Sequence, residues 1–105
     1  MPVLMQMYWE GVNTEQYEKM STESNFDTDT PRGAIFHTAA LDKKGLHIVD
    51  IWETESDFNN FIEKKIMPIV KKYNIKGQPS VEIFNIHASF VPGYSKITQK
   101  MKQST

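Results

Sequence analysis

Three histidines, one carboxylate in the middle of a strand and a set of strand aromatics are the residues whose chemistry goes beyond packing. Asp50 stands between Ile48 and Trp52 in a run that is otherwise apolar. A buried carboxylate there costs several kcal/mol unless it is paired or hydrogen-bonded, so Asp50 marks a polar pocket. Its commoner role is a structural hydrogen-bond acceptor. His37 lies on the preceding strand, and if the two faced each other the carboxylate would hold one imidazole tautomer. That pair would be a general base suited to a phenolic or enolic proton. The facing arrangement needs a plain two-residue hairpin loop. The intervening Asp42-Lys43-Lys44-Gly45 favours instead a type I turn closed by a glycine bulge. A bulge slips the register by one, sets Thr38 opposite Asp50 and turns His37 to the other face. The turn chemistry therefore argues against the pair, and packing or a satisfied hydrogen bond is the ordinary role for His37.

Other chemistry is sparse. His37, His47 and His87 all fall in segments that read as strands. Those of His37 and His87 are opposite edges of the expected sheet, about 14 Å apart at ~4.8 Å per strand, too far for one metal ion within a subunit. No metal is expected. Tyr8, Trp9, Trp52 and Phe84 on strands, with Phe61 on a helix, could line an aromatic pocket, although aromatics at such positions mostly pack a core. Cysteine is absent, which excludes disulfides, thiolate metal sites and a thiol nucleophile. No serine sits in a nucleophile elbow and no glycine-rich phosphate loop occurs, so no nucleotide cofactor is expected. The net charge of −1 and the lack of a basic stripe argue against nucleic acid and anionic membranes. No apolar run approaches the ~20 residues of a membrane span, and no leader is legible, so the expected location is cytoplasmic.

The elements that must position these residues follow from periodicity. Residues 3–9 read as a first strand, broken by Gly11. Asn13 and Gln16 have capping-box spacing, so a helix is expected over about 15–24, with Tyr17 and Met20 on one side. Turn chemistry fills 25–33. Strands are expected over 34–42 and 45–53, and Thr54 with Asp57 starts a second helix over about 55–73. Pro68 inside it should kink or split it near Lys64. The last strand is expected over 80–90, and a polar tail fills 91–105. One domain over 1–90 results, with the order β-α-β-β-α-β. It is an α+β, ferredoxin-like fold: a four-stranded antiparallel sheet, strand order 4-1-3-2, with both helices on one face.

Two helices cover one face of such a sheet, yet both faces are apolar. On the third strand Leu46, Ile48 and Trp52 oppose Val49 and Ile51; on the last, Val81 and Ile83 oppose Phe84 and Ile86. Covering each large side chain is worth about 1.5–3 kcal/mol, so a homodimer packed sheet on sheet is expected.

The segment Asp50-Ile51-Trp52-Glu53-Thr54-Glu55-Ser56-Asp57-Phe58, with this element order, resembles antibiotic-biosynthesis-monooxygenase-type domains. These are dimeric α+β barrels that include quinone-forming and haem-degrading monooxygenases. The resemblance implies a substrate held between sheet and helices, with Trp52 lining the pocket. Its haem-degrading members use a first-strand asparagine and a second-helix histidine. This chain has Gln6 on the first strand and no histidine in the second helix, so haem degradation of that form is not expected. Two functions follow from the resemblance. One is a small cofactor-independent monooxygenase-like enzyme acting on an aromatic or polyketide-like molecule, with Trp52 stacking, Asp50 accepting and His37 moving the proton. The other is a non-catalytic small-ligand-binding or stress-related protein; a purely structural dimerisation module is the third case. A cavity of ~300 Å³ or more beside Trp52 and Asp50 would favour a ligand, and one filled by Phe58, Phe61 and Ile62 would not.

Overall fold

The computed structural model describes residues 1–93; most of the tail expected over 91–105 lies outside the described residues. The chain runs β1 (Val3–Glu10), α1 (Thr14–Ser24), β2 (Ala34–Leu41), β3 (Gly45–Trp52), α2 (Glu55–Phe61), a π-helical turn (Ile62–Ile66), α3 (Met67–Lys72) and β4 (Ser80–Asn85). All strand pairs are antiparallel, in the order β2-β3-β1-β4, which is the expected 4-1-3-2 order read from the other edge.

Local chemistry explains the helix ends. The Asn13 side chain accepts from the Gln16 amide at 2.9 Å and the Gln16 side chain accepts from the Asn13 amide at 3.0 Å, closing the capping box. Thr54 takes the Asp57 amide at 3.0 Å and starts α2. Pro68 lies in the first turn of α3 and has no N–H for the carbonyl of Lys64, which its ring also crowds. The chain answers by widening to a π turn over Ile62–Ile66, centred on Lys64, so the second helix is split where expected.

The core lies between the helices and one face of the sheet. Val3, Met5, Met7 and Trp9 of β1 are buried there with Leu46 and Trp52 of β3, against Met20, Phe58 and Ile69 from the helices. Each strand therefore sends alternate residues inward, as the period of two requires.

The hairpin differs from expectation. Leu41 pairs with Leu46, and the Asp42 amide donates to the Gly45 carbonyl at 3.1 Å, leaving Lys43 and Lys44 as a two-residue loop. The Asp42 carboxylate accepts from the amides of Lys44 and Gly45 at 2.8 and 2.9 Å, closing the loop without a left-handed residue. Gly45 serves another purpose: a Cβ there would collide with the Trp9 carbonyl of β1. The bulge lies at the opposite end of β2, where Ala34 pairs with Trp52 and Phe36 with Ile51, so that Ile35 is the extra residue. Between the turn and this bulge the register sets His37 opposite Asp50 and Thr38 opposite Val49.

The last strand is shorter than expected. β1 offers no partner beyond Val3, which pairs with Asn85, and the Ile86 amide makes the final bond to the Pro2 carbonyl at 3.1 Å. His87 is therefore exposed and beyond the strand rather than within it.

Candidate functional site

Asp50 points to the helix side of β3 and is 4% exposed. One of its carboxylate oxygens lies 2.7 Å from Nδ1 of His37, and the other accepts from the Trp52 indole N–H at 3.1 Å. The second ring nitrogen of His37, Nε2, lies 2.8 Å from the Tyr17 hydroxyl on α1. Four side chains thus form one hydrogen-bonded chain, Trp52–Asp50–His37–Tyr17, running from the interior of the sheet to the first helix. Phe26, from the loop after α1, packs on the His37 ring with centroids 4.8 Å apart and edge-on to Trp52 and Phe61.

The carboxylate is an acceptor only, so Nδ1 carries the imidazole proton. In the neutral ring Nε2 is then a bare lone pair, and Tyr17 donates to it. Burial pushes the Tyr17 phenol up to about 12, helped by the negative charges of Asp50 and Glu18 and opposed by a hydrogen bond from Ser21. Tyr17 therefore remains a protonated donor at neutral pH. Among the described residues no buried side-chain nitrogen or oxygen lacks a partner.

The chain borders a cavity of about 60 Å³. Its walls are almost wholly apolar: Met5, Met7 and Leu46 below, Phe58, Phe61 and Ile62 above, with Tyr17, His37 and Asp50 at one side. This is well short of the ~300 Å³ typical of a ligand pocket. Phe58, Phe61 and Ile62 stand in the space, so a ligand larger than a few waters enters only if they move.

The expected site residues divide. Asp50, His37 and Phe61 meet at the cavity. Trp52 does not line it: the indole is fully buried and its N–H is spent on Asp50, behind the wall. Tyr8 and Phe84 face the other side of the sheet, because they alternate with the inward residues Met7 and Ile83. There Tyr8 packs on His47, centroids 4.8 Å apart, and Phe84 is 50% exposed. Neither borders the cavity. Tyr17 and Phe26 were not singled out by the sequence as site residues. Tyr17 had a signal, since the capping box phases it with Met20, but nothing linked it to a histidine twenty residues away. Among the described residues no three His, Cys, Asp or Glu side chains converge as a metal site.

No protein-family model matches this sequence, and no curated protein matches it either. Solved structures do. SnoaB, a cofactor-independent oxygenase from Streptomyces nogalater, is 9% identical with a TM-score of 0.60, over 85% of this chain and 95% of that one. A protein of unknown function from Nitrosomonas europaea is 12% identical with a TM-score of 0.64, over 88% and 95%. A mutant of MhuD, solved with two manganese protoporphyrins per active site, is 13% identical with a TM-score of 0.57, over 84% and 97%. The donor set here does not suit a porphyrin. The wall formed by the second helix offers Phe58, Phe61, Ile62 and Ile66, none of which can ligate a metal, and the cavity is far smaller than a tetrapyrrole. Over 83–85% of its length the chain thus has the α+β fold of the antibiotic-biosynthesis-monooxygenase-like proteins, the fold that its element order suggested.

Proposed function

We propose that the chain is a homodimeric, cofactor-independent monooxygenase-like enzyme acting on a small aromatic or polyketide-like molecule held between sheet and helices. The supporting observation is the Asp50–His37–Tyr17 chain, a proton-accepting relay that ends in an otherwise apolar cavity. A substrate with an acidic O–H or a doubly activated CH₂ gives up a proton to this relay, and the carbon-centred electrons of its anion reduce dioxygen. One oxygen atom ends as a ring carbonyl in place of the CH₂ and the other leaves as water, so no outside reductant is consumed. Asp50 stabilises the imidazolium formed on the way. SnoaB, of the same fold, is a cofactor-independent oxygenase. Admission of the substrate moves Phe61 and Ile62, which occupy the cavity now.

Oxygen uptake with a panel of hydroquinones and anthrones tests this reading. Wild type is expected to consume oxygen and Asp50→Asn to lose about a hundredfold, the low end of general-base contributions. Equal rates remove the carboxylate from the mechanism. The filled cavity counts against both the enzyme and the ligand-binding readings and favours the third, a purely structural dimerisation module; its signature is neither oxygen uptake nor saturable binding of the same compounds by wild type.

The dimer belongs to the same proposal. Across the outer face of the sheet the paired positions Phe84, Leu4 and Ile51 make an apolar row that no helix among the described residues covers. A second copy packed on this row hides it. Sedimentation at micromolar concentration is expected to give twice the 12.2 kDa chain mass, and Ile51→Lys to return it to the monomer. A wild-type monomer rules the dimer out.

A further inference from the structure

Resting on the reading above, we infer that Tyr17, not His37, is the residue that touches the substrate: its hydroxyl takes the substrate proton while handing its own to His37. Both nitrogens of the His37 ring are already engaged, Nδ1 by Asp50 at 2.7 Å and Nε2 by the Tyr17 hydroxyl at 2.8 Å. The imidazole therefore presents no free lone pair to a ligand. The Tyr17 oxygen has two lone pairs, and it borders the cavity with Ser21 beside it. Phe26 on the His37 ring, and Tyr17 stacked at 6.3 Å between centroids, further shield the imidazole from direct approach.

The geometry serves both ends of the transfer without moving a heavy atom. Before it, Tyr17 O–H donates to the bare Nε2. During it, the Tyr17 O–H bond breaks as an Nε2–H bond forms, and the substrate's O–H or C–H bond breaks as a new O–H forms on Tyr17. Afterwards the imidazolium donates back to the same phenol oxygen and is balanced by Asp50, while the phenol O–H points at the substrate anion. The proton count is conserved and no oxidant takes part. A phenol held up near 12 is a poor base on its own, so a concerted relay is the route open to it. It also follows that the site selects an acidic hydroxyl or C–H and stabilises the resulting oxyanion by one hydrogen bond in an apolar setting.

Two measurements test the relay. In the free wild-type protein, ¹⁵N–¹H spectra of the His37 ring at a pH where it is neutral are expected to show the proton on Nδ1 and a bare, hydrogen-bonded Nε2. A proton on Nε2 overturns the relay, whatever the protein's function. The second uses 4-nitrophenol, whose absorbance separates phenol from phenolate, with wild type, Tyr17→Phe and His37→Gln. Bound probe is expected to be ionised by wild type, and the phenolate-to-phenol ratio to fall at least about tenfold in both variants. Ionisation by Tyr17→Phe equal to or above wild type overturns the relay and leaves His37 as the direct base, with the proposed function intact. Absence of probe binding by all three proteins overturns the ligand site itself, and the relay with it.

Discussion

The β2–β3 hairpin carries the same residue pair twice, in two settings. Near its open end His37 and Asp50 are 2.7 Å apart, with side chains 18% and 6% exposed; at its turn His47 and Asp42 are 3.0 Å apart, with side chains 49% and 54% exposed. Asp42 spends its carboxylate on the turn amides and on His47, in water. Asp50, 4% exposed, spends its carboxylate on His37 and Trp52, where burial keeps bulk solvent from replacing either partner. An aspartate and a histidine in reach of each other are therefore no site by themselves. Burial makes the inner pair interdependent, because every unsatisfied group there keeps its full desolvation cost. The outer pair is a turn device that solvent and salt can replace.

Deleting the carboxylates should separate the two pairs most clearly. Asp50→Ala leaves an indole N–H and an imidazole N–H buried without partners, and urea unfolding is expected to show a loss of about 3 kcal/mol. Asp42→Ala should shift the same curve far less, and added salt should mask much of its effect; equal losses would contradict the contrast. Trp52→Phe is the sharper probe. It keeps the ring in the core and removes one charge-assisted hydrogen bond, at about 2 kcal/mol. With Asp50 free to rotate, the His37 ring spectrum should show a mixed tautomer population, which a purely structural role for Trp52 would not produce.

The smallest effects are those of pH, and they fall at opposite ends of the scale. Burial raises the Tyr17 phenol from 10.0 to about 12, so the folded state holds its proton more tightly than the unfolded chain. The corresponding stability is present below pH 10 and is lost as pH rises towards 12; phenolate absorbance should show Tyr17 ionising after an exposed tyrosine. Asp42 is held below its usual 3.8 by the Lys44 and Gly45 amides, with His47 adding to them. Its contribution is present above that ordinary value and is lost as pH falls through the depressed one. Fraying of the hairpin tip in acid, read by amide exchange of Lys44 and Gly45, is the expected sign. Amide protection that persists well below the depressed value would remove it.

Much of the architecture was legible in the residues because it is set by local rules. The Asn13–Gln16 box and the Thr54 cap act within a single turn of helix. Pro68 acts on a carbonyl four residues away, and alternation along β3 sorts Leu46, Asp50 and Trp52 inward whatever the rest of the chain does. With short connections those elements admit few sheet orders, and the observed one was among them. Where two local signals competed, the outcome depended on distant groups. Asp42-Lys43-Lys44-Gly45 suits a bulged turn as a tetrapeptide, but Gly45 was needed at the Trp9 carbonyl of β1 and the Asp42 carboxylate closed the tighter loop. The bulge then fell at Ile35 instead.

The same division runs through the site. Asp50 was visible from sequence as an isolated carboxylate among apolar neighbours, which is a statement about desolvation and needs no partner to be known. The identity of its partners did need the fold. A one-residue difference in register decides which face His37 takes, and only the packing of α1 over β2 brings Tyr17 within 2.8 Å of it. Trp52 was marked by type and place, yet whether its indole met a ligand or a carboxylate depended on which way a buried ring could turn. Residue type and spacing thus determined the elements and the one costly charge. Tertiary packing alone decided what that charge is spent on, because hydrogen bonds at 2.7–3.1 Å depend on distances that sequence separation does not encode.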